Sequence, residues 1–336
     1  MLSKLQRSQL NRTRIVGGEP SIRLTDGELL ALLGIVCKDL QIDLPTAIDW
    51  SFALSHIKDP FYQIPISTFH TIHFFKGDVT PTVLEGLIFE VTQQQSDAFT
   101  CFIALAHLHA QRRKYLAILE EQSFPAPETI IPRGLLEIGE VPMEALASWL
   151  VLRKLIYDID NRSAQTTGYL FEPILTLALG GVSYAAKHSP VRRDGQGRGR
   201  QIDCLVDKDA YEFKMRVTTA ASGQGRFAEE LSYAEDCHAS GFRPILLVLD
   251  PTPSSKQGEL VARYRKFNGE AYVGDAAWMH LASKSGKVMT AFIENYIKAP
   301  MTTLRQVSDQ VFTLQIKSTL NEGITVQIDE HIWRLR

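Results

Sequence analysis

Cysteine is scarce in this 336-residue sequence. Cys37, Cys101, Cys204 and Cys237 lie far apart, with no Cys-x-x-Cys pair. That spacing excludes a disulfide framework and a zinc ribbon, and it fits a chain made in a reducing bacterial cytoplasm. No apolar run reaches the roughly 18 residues a membrane helix needs, so no membrane span is expected. The N-terminus, MLSKLQRSQLNRTR, is basic but lacks the apolar stretch of a signal peptide. Charge of one sign is also lacking: the formal net charge is -2. Any polyanion partner must therefore be met by a local patch. There is no internal repeat and no low-complexity segment.

Several apparent motifs fail on inspection. Gly195-x-Gly197-x-Gly199 fits neither a phosphate-binding loop nor a dinucleotide fingerprint, so no organic cofactor is expected. His70-x-x-His73 and His107-x-His109 have no cysteine or carboxylate set to complete a metal site. His107 and His109 cannot share one helix face, so packing or surface roles are expected for them. Ile15-Val16-Gly17-Gly18 looks like the mature start of a trypsin-like protease, but no Gly-Asp-Ser-Gly-Gly follows.

Apolar residues make up 45% and charged residues 22%, which excludes an intrinsically disordered chain. The length exceeds a usual single domain. The first 150 residues read as mainly helical. Asp26 can cap a helix from Glu28 to about Leu40, and Pro45 or Thr46 opens another through Trp50 and Leu54. Thr80-Pro81 is a cap followed by proline at the first helical position, starting a helical run to about Glu121 with a break near Gln93–Ser96. Ser123–Pro132 reads as a connector, and Met143–Tyr157 as a helix.

The second half alternates. A helix near Ala164–Leu179 stops at Gly180-Gly181. Strands are expected at Val182–Ala186, Gln201–Val206, Tyr211–Val217, Pro244–Leu249 and Glu270–Val273. Helices are expected at Arg226–Ala239, Gln257–Lys266, Asp275–Ala282 and Val288–Ile297. Val311–Lys317 and Ile324–Ile328 flank Asn321-Glu322-Gly323 as a terminal hairpin. The expectation is an α/β fold: a mixed-sheet core at 151–300 flanked by helices, a helical region at 1–150 and a small β-hairpin extension at 301–336.

The stretch from Gly197 to Arg216 carries the chemistry. With Lys208-Asp209 as a two-residue turn, Asp203 faces Lys214 and Leu205 faces Glu212. One side of the hairpin then holds Ile202, Cys204, Val206, Tyr211, Phe213 and Met215. The other holds Gln201, Asp203, Leu205, Glu212, Lys214 and Arg216. Two carboxylates and an ammonium on one face suit magnesium, which takes one or two protein carboxylates plus phosphate oxygens and water. Such an ion lowers the pKa of bound water and stabilises charge on a phosphate. Lys214 could position or deprotonate that water.

This pattern, an acid on one strand and an acid-x-Lys triplet on the next, resembles the PD-(D/E)XK nuclease superfamily over residues 163–285. Asp203 and Glu212-Phe213-Lys214 carry the match. Ile202 stands where the superfamily usually has proline. The core, with a parallel strand after the motif helix and the step Tyr272-Val273-Gly274-Asp275, resembles type II restriction endonucleases and, more distantly, the ApaLI-like group. The resemblance implies Asp203, Glu212 and Lys214 as catalytic residues. It implies magnesium on Asp203 and Glu212, with Glu172 as a further ligand on the preceding helix.

Between Lys187 and Arg226 there are nine Lys/Arg against five acids. Arg192, Arg193, Arg198 and Arg200 on the glycine-rich loop are expected to meet phosphates. After Lys214, a polar loop runs to the next helix. Its residues Arg216, Thr218, Thr219, Ser222, Gln224 and Arg226 are the other expected DNA contacts, with Gln224 and Arg226 suited to base edges. The reading is a magnesium-dependent, sequence-specific endonuclease on double-stranded DNA, a homodimer on a palindrome, leaving 5'-phosphate and 3'-hydroxyl ends. Three alternatives stand beside it: a structure-selective repair or junction nuclease of the same fold, a catalytically silent DNA-binding module, and an α/β protein unrelated to nucleic acid whose hairpin is merely solvated.

Overall fold

A computed structural model describes residues 1–51, 55, 66, 69, 79–123, 125–140, 142–193, 197–215, 224–307, 314–319, 323–328 and 330–335. His70 and His73 lie outside these residues.

Local capping sets the N-terminal helices. Lys4–Thr13 starts at Ser3, whose hydroxyl accepts from the N–H of Gln6 while the Gln6 side chain returns the bond. A short antiparallel ribbon follows, β1 (Ile15–Val16) with β2 (Ile22–Arg23). The next helix, Asp26–Leu40, is capped by Thr25 and not by Asp26, because Thr25 and Glu28 form the reciprocal box. Every residue from Glu28 to Cys37 in it is buried. No helix opens at Pro45 or Thr46. Trp50 instead donates its indole N–H to the Pro45 carbonyl at 2.8 Å across a turn, and Leu54 lies outside the described residues. Thr80 and Pro81 do start a helix, Pro81–Gln94. Gln95 is extended, and Ala98–Glu120 continues beyond the expected break.

Two expected helices are one. Met143–Ala178 runs for 36 residues, through the division drawn at residue 150. Residues 158–163, which separated the two expected helices, contain no glycine or proline to interrupt the helical hydrogen bonds. Ile159 and Val151 in this helix pack on buried Leu155.

The central sheet has the order β3-β4-β5-β6-β7: Val182–Tyr184, Ile202–Val206, Asp209–Lys214, Arg243–Val248 and Glu270–Val273. The first three strands are antiparallel and the last three parallel. All of β6 except Arg243 is buried, as its unbroken apolar run requires when both faces are covered. On one face, Cys204, Tyr211, Phe213, Ile245 and Leu247 join a core that includes the N-terminal helices. On the other, Ala210, Leu246 and Val248 pack on Tyr233 and Cys237 of helix Gln224–Ala239 and on Leu260 and Tyr264 of helix Ser255–Lys266. The second face of the hairpin is therefore not an open polar surface, and Ile202 belongs to that second cluster.

The remaining differences lie toward the C-terminus. Helix Lys287–Ile293 passes through a π turn, Glu294–Lys298, into Ala299–Val307. The terminal unit has three antiparallel strands, β8 (Leu314–Thr319), β9 (Gly323–Ile328) and β10 (His331–Leu335), where a hairpin was expected. Among the described residues, no helix is long and apolar enough to cross a membrane. All four cysteines are free and buried, and burial pushes each thiol up to about 12.

Candidate active site

The hairpin turns one step earlier than its sequence suggested. Asp207 takes φ 51, a left-handed conformation that aspartate tolerates, so Asp207-Lys208 forms the turn and Val206 pairs with Asp209. The register slips by two residues. A two-residue slip preserves the alternation of side chains, Ile202 at the irregular start of β4 being the exception. It does change the partners: continuing the Cys204–Tyr211 pairing puts Asp203 level with Glu212, not with Lys214.

Asp203 is 8% exposed, and its Oδ2 accepts the backbone N–H of Phe213 at 2.9 Å. Burial, then Glu212 and Glu172, push its pKa well above the usual carboxylate range. Burial and Glu212 also raise Glu172. Glu172 lies on the long helix. One turn later on that helix, Thr176 donates its hydroxyl to the Asp203 carbonyl at 3.0 Å, tying helix to strand. Lys214 Nζ lies 2.8 Å from Glu212 Oε1 and 3.3 Å from Glu230 Oε1. Burial alone would favour the neutral amine, but Glu212 and Glu230 outweigh it and raise the Lys214 pKa. The structure thus brings Glu172, Asp203, Glu212 and Lys214 together and adds Glu230.

Glu230 and Thr176 were missed in the sequence. Glu230 had a signal: it stands three, four and seven residues before Tyr233, Ala234 and Cys237, on the buried stripe of its helix. Thr176 had none, since its partner is 27 residues away.

The donor set fits a hard divalent cation. Oxygen ligands from facing carboxylates are what magnesium takes, and the mutual repulsion that raises Asp203 and Glu172 is relieved by a cation. Among the described residues, no three His, Cys, Asp or Glu side chains form a ready-made cage. Magnesium does not need one, because it keeps several waters.

The basic loop divides. Arg192, Arg193 and Arg198 are exposed. The Arg193 guanidinium pairs with Glu229 at 3.1 Å, and the Arg192 N–H donates to Ser240 Oγ at 2.9 Å. Arg200 corrects the expectation. It is 8% exposed, pairs with buried Asp236 at 2.5 Å, donates to Ser232 Oγ at 3.0 Å and to the Glu229 carbonyl, and lies over the Tyr233 ring. Its guanidinium is committed inside the protein and is not available to a phosphate. Gly199 is equally structural: a Cβ there would sit 1.9 Å from the Ala186 carbonyl oxygen. Arg216, Thr218, Thr219 and Ser222 lie outside the described residues. Gln224 and Arg226 begin helix Gln224–Ala239, with their side chains outside the description. His107 and His109 have packing roles: His107 bonds the Tyr169 carbonyl, and buried His109 lies 3.4 Å from Glu28.

The family model of the ApaLI-like restriction endonucleases matches residues 77–298, a span that holds every residue of this site. The chain belongs to that family. A curated relative, the type II restriction enzyme ApaLI of Acetobacter pasteurianus, is 53% identical over 220 residues. The aligned part covers 63% of this chain and 59% of that enzyme, so the chain spans about three-fifths of the relative's length. No solved structure matches.

Proposed function

We propose that this ApaLI-like chain is a type II restriction enzyme, a sequence-specific endonuclease on double-stranded DNA. The observation that carries the proposal is the buried Asp203 level with Glu212, with Lys214 held at 2.8 Å from the latter. The arrangement supports membership of the PD-(D/E)XK superfamily.

Asp203 and Glu212 would hold a magnesium ion, with Glu172 behind them. When bound, the ion supplies Lewis-acid stabilisation of phosphate charge and a more acidic water. The free oxygens of Asp203 and Glu212 set where the scissile phosphate sits. Lys214, kept as an ammonium by its two carboxylates, is suited to orient the attacking water by donating to it; its charged state favours orientation over proton removal. Hydrolysis at the 3'-oxygen side of the phosphate leaves 5'-phosphate and 3'-hydroxyl ends.

One site cuts one strand, so two copies related by a two-fold axis are the natural assembly on a palindrome. Arg192, Arg193 and Arg198, exposed before the motif strand, would meet phosphates, and Gln224 and Arg226, ten and twelve residues after Lys214, would read bases near the cut. The central sheet and the helices packed on it act as the catalytic core, joined to the N-terminal helices through Met143–Ala178 and followed by the 301–336 region, in a bacterial cytoplasm. Plasmid digestion in magnesium, followed by end mapping, tests the proposal. Discrete fragments with 5'-phosphate ends are expected. Undigested plasmids of varied sequence, or activity that survives EDTA, would overturn it.

A further inference from the structure

Lys214 is bracketed by two anions from different elements. Glu212 reaches it from the same strand at 2.8 Å and Glu230 from the following helix at 3.3 Å. The three side chains are 21%, 18% and 24% exposed for Lys214, Glu212 and Glu230, so all three are largely withdrawn from water.

The helix that carries Glu230 is pinned on both sides of it. Arg200 donates to the carbonyl of the adjacent residue, Glu229. One turn on, Tyr233 donates its hydroxyl to the Tyr211 carbonyl of the motif strand at 3.2 Å. These bonds hold the helix backbone on either side of Glu230 against the strand without involving the carboxylate itself.

Glu212 has two demands on it. Its Oε1 is the oxygen facing Lys214, yet Glu212 is also half of the carboxylate pair suited to a cation. A divalent cation on that pair draws charge from the contact with the ammonium. Glu230 has no such second demand: among the described residues, Lys214 is the side chain it pairs with.

We propose that Glu230 is the positioning residue of Lys214, holding the ammonium in place when Glu212 engages the cation. This rests on the nuclease reading above. Glu230 touches no reacting atom in this role; it acts through the lysine.

The test uses full-length wild type, Glu230→Gln, Glu230→Asp, Lys214→Met and the Glu230→Gln/Lys214→Met double variant. Gln is isosteric with Glu, so packing of the helix is kept. Single-turnover cleavage of a plasmid should fall about 10–100-fold in Glu230→Gln, the usual cost of removing a group that orients a site residue. DNA affinity and the magnesium concentration giving half the maximal rate should stay unchanged. Glu230→Asp, which keeps the anion, should recover part of the rate. Urea unfolding without metal gives a second readout, independent of activity: the double variant should lose less than the sum of the two single variants, because the two side chains share one interaction.

A wild-type rate in Glu230→Gln overturns the inference. So does a raised magnesium requirement, which would make Glu230 a ligand of the cation, and so does an additive unfolding cycle. Wild-type protein that cuts no DNA overturns the nuclease reading instead, and the unfolding cycle then still decides whether Glu230 holds Lys214.

Discussion

The Nε2–H of His107 donates to the carbonyl of Tyr169 at 2.9 Å, across 62 residues of sequence. That carbonyl is the one Pro173 leaves without a helical partner, since proline has no N–H to return four residues back. The bond therefore repairs a gap in the long helix at the turn that carries Glu172. A proline beside a site residue would otherwise loosen its turn. Replacing His107 with Leu should cost about 0.5–1.5 kcal/mol of stability. Pro173→Ala restores an N–H to the same carbonyl and should reduce that cost. Urea denaturation of the two single variants and the double variant measures both effects.

Acid should weaken the fold through buried His109 and half-buried His107. Burial lowers the pKa of His107 and of His109, against the hydrogen bonds that raise them. A depressed histidine is neutral in the fold and gains its proton more readily when unfolded. Its contribution is present above the unfolded value of about 6.5 and is lost as the pH falls below it. Thermal unfolding between pH 8 and pH 5 should show a midpoint that drops on the acid side, with a shallower drop in His109→Gln.

Asp203→Asn should remove cleavage yet stabilise the metal-free protein by roughly 0.5–2 kcal/mol, the usual size of such an activity–stability exchange. The pKa of Asp203 is raised by burial and by its acidic neighbours. Stability from a raised carboxyl is present at low pH and lost as the pH rises through the folded value, so at neutral pH a carboxyl at this position opposes folding. Thermal unfolding in EDTA reads this effect, and magnesium should raise the wild-type midpoint more than that of the variant. A variant less stable than wild type in EDTA would contradict the assignment.

Lys214→Ala should abolish cleavage and leave specific DNA binding within a few fold, because the lysine acts on water and not on the duplex. Gel-shift titration beside plasmid digestion separates the two quantities. A wild-type cleavage rate would remove Lys214 from the catalytic set.

Arg198 and Arg200 should behave as opposites. Arg198→Ala should weaken cognate and random DNA alike and lower the salt slope by about one unit for a lost phosphate contact. Arg200→Ala should instead destabilise the protein by about 3–5 kcal/mol, because it leaves buried Asp236 without its cation. DNA affinity as a function of salt, together with urea midpoints, distinguishes a phosphate contact from an internal anchor.

What the amino-acid order determined on its own was periodic and local. Alternation over Ile202–Val206 and Asp209–Lys214 put Asp203, Glu212 and Lys214 on one side of a sheet, and that survived a two-residue error in register because side chains alternate with period two. Thr80-Pro81 marked the start of one helix and Gly180-Gly181 the end of the long one for the same local reason. Tertiary structure decided what depends on partners distant in sequence. The left-handed turn at Asp207 set Asp203 against Glu212. Packing on Tyr233 and Asp236 took Arg200 from the surface into the protein. Packing of helix Gln224–Ala239 on the sheet brought Glu230 to Lys214, 16 positions earlier in the chain. Spacing along a chain can show which face a side chain takes, but its pairing partner is chosen by the element that packs against that face.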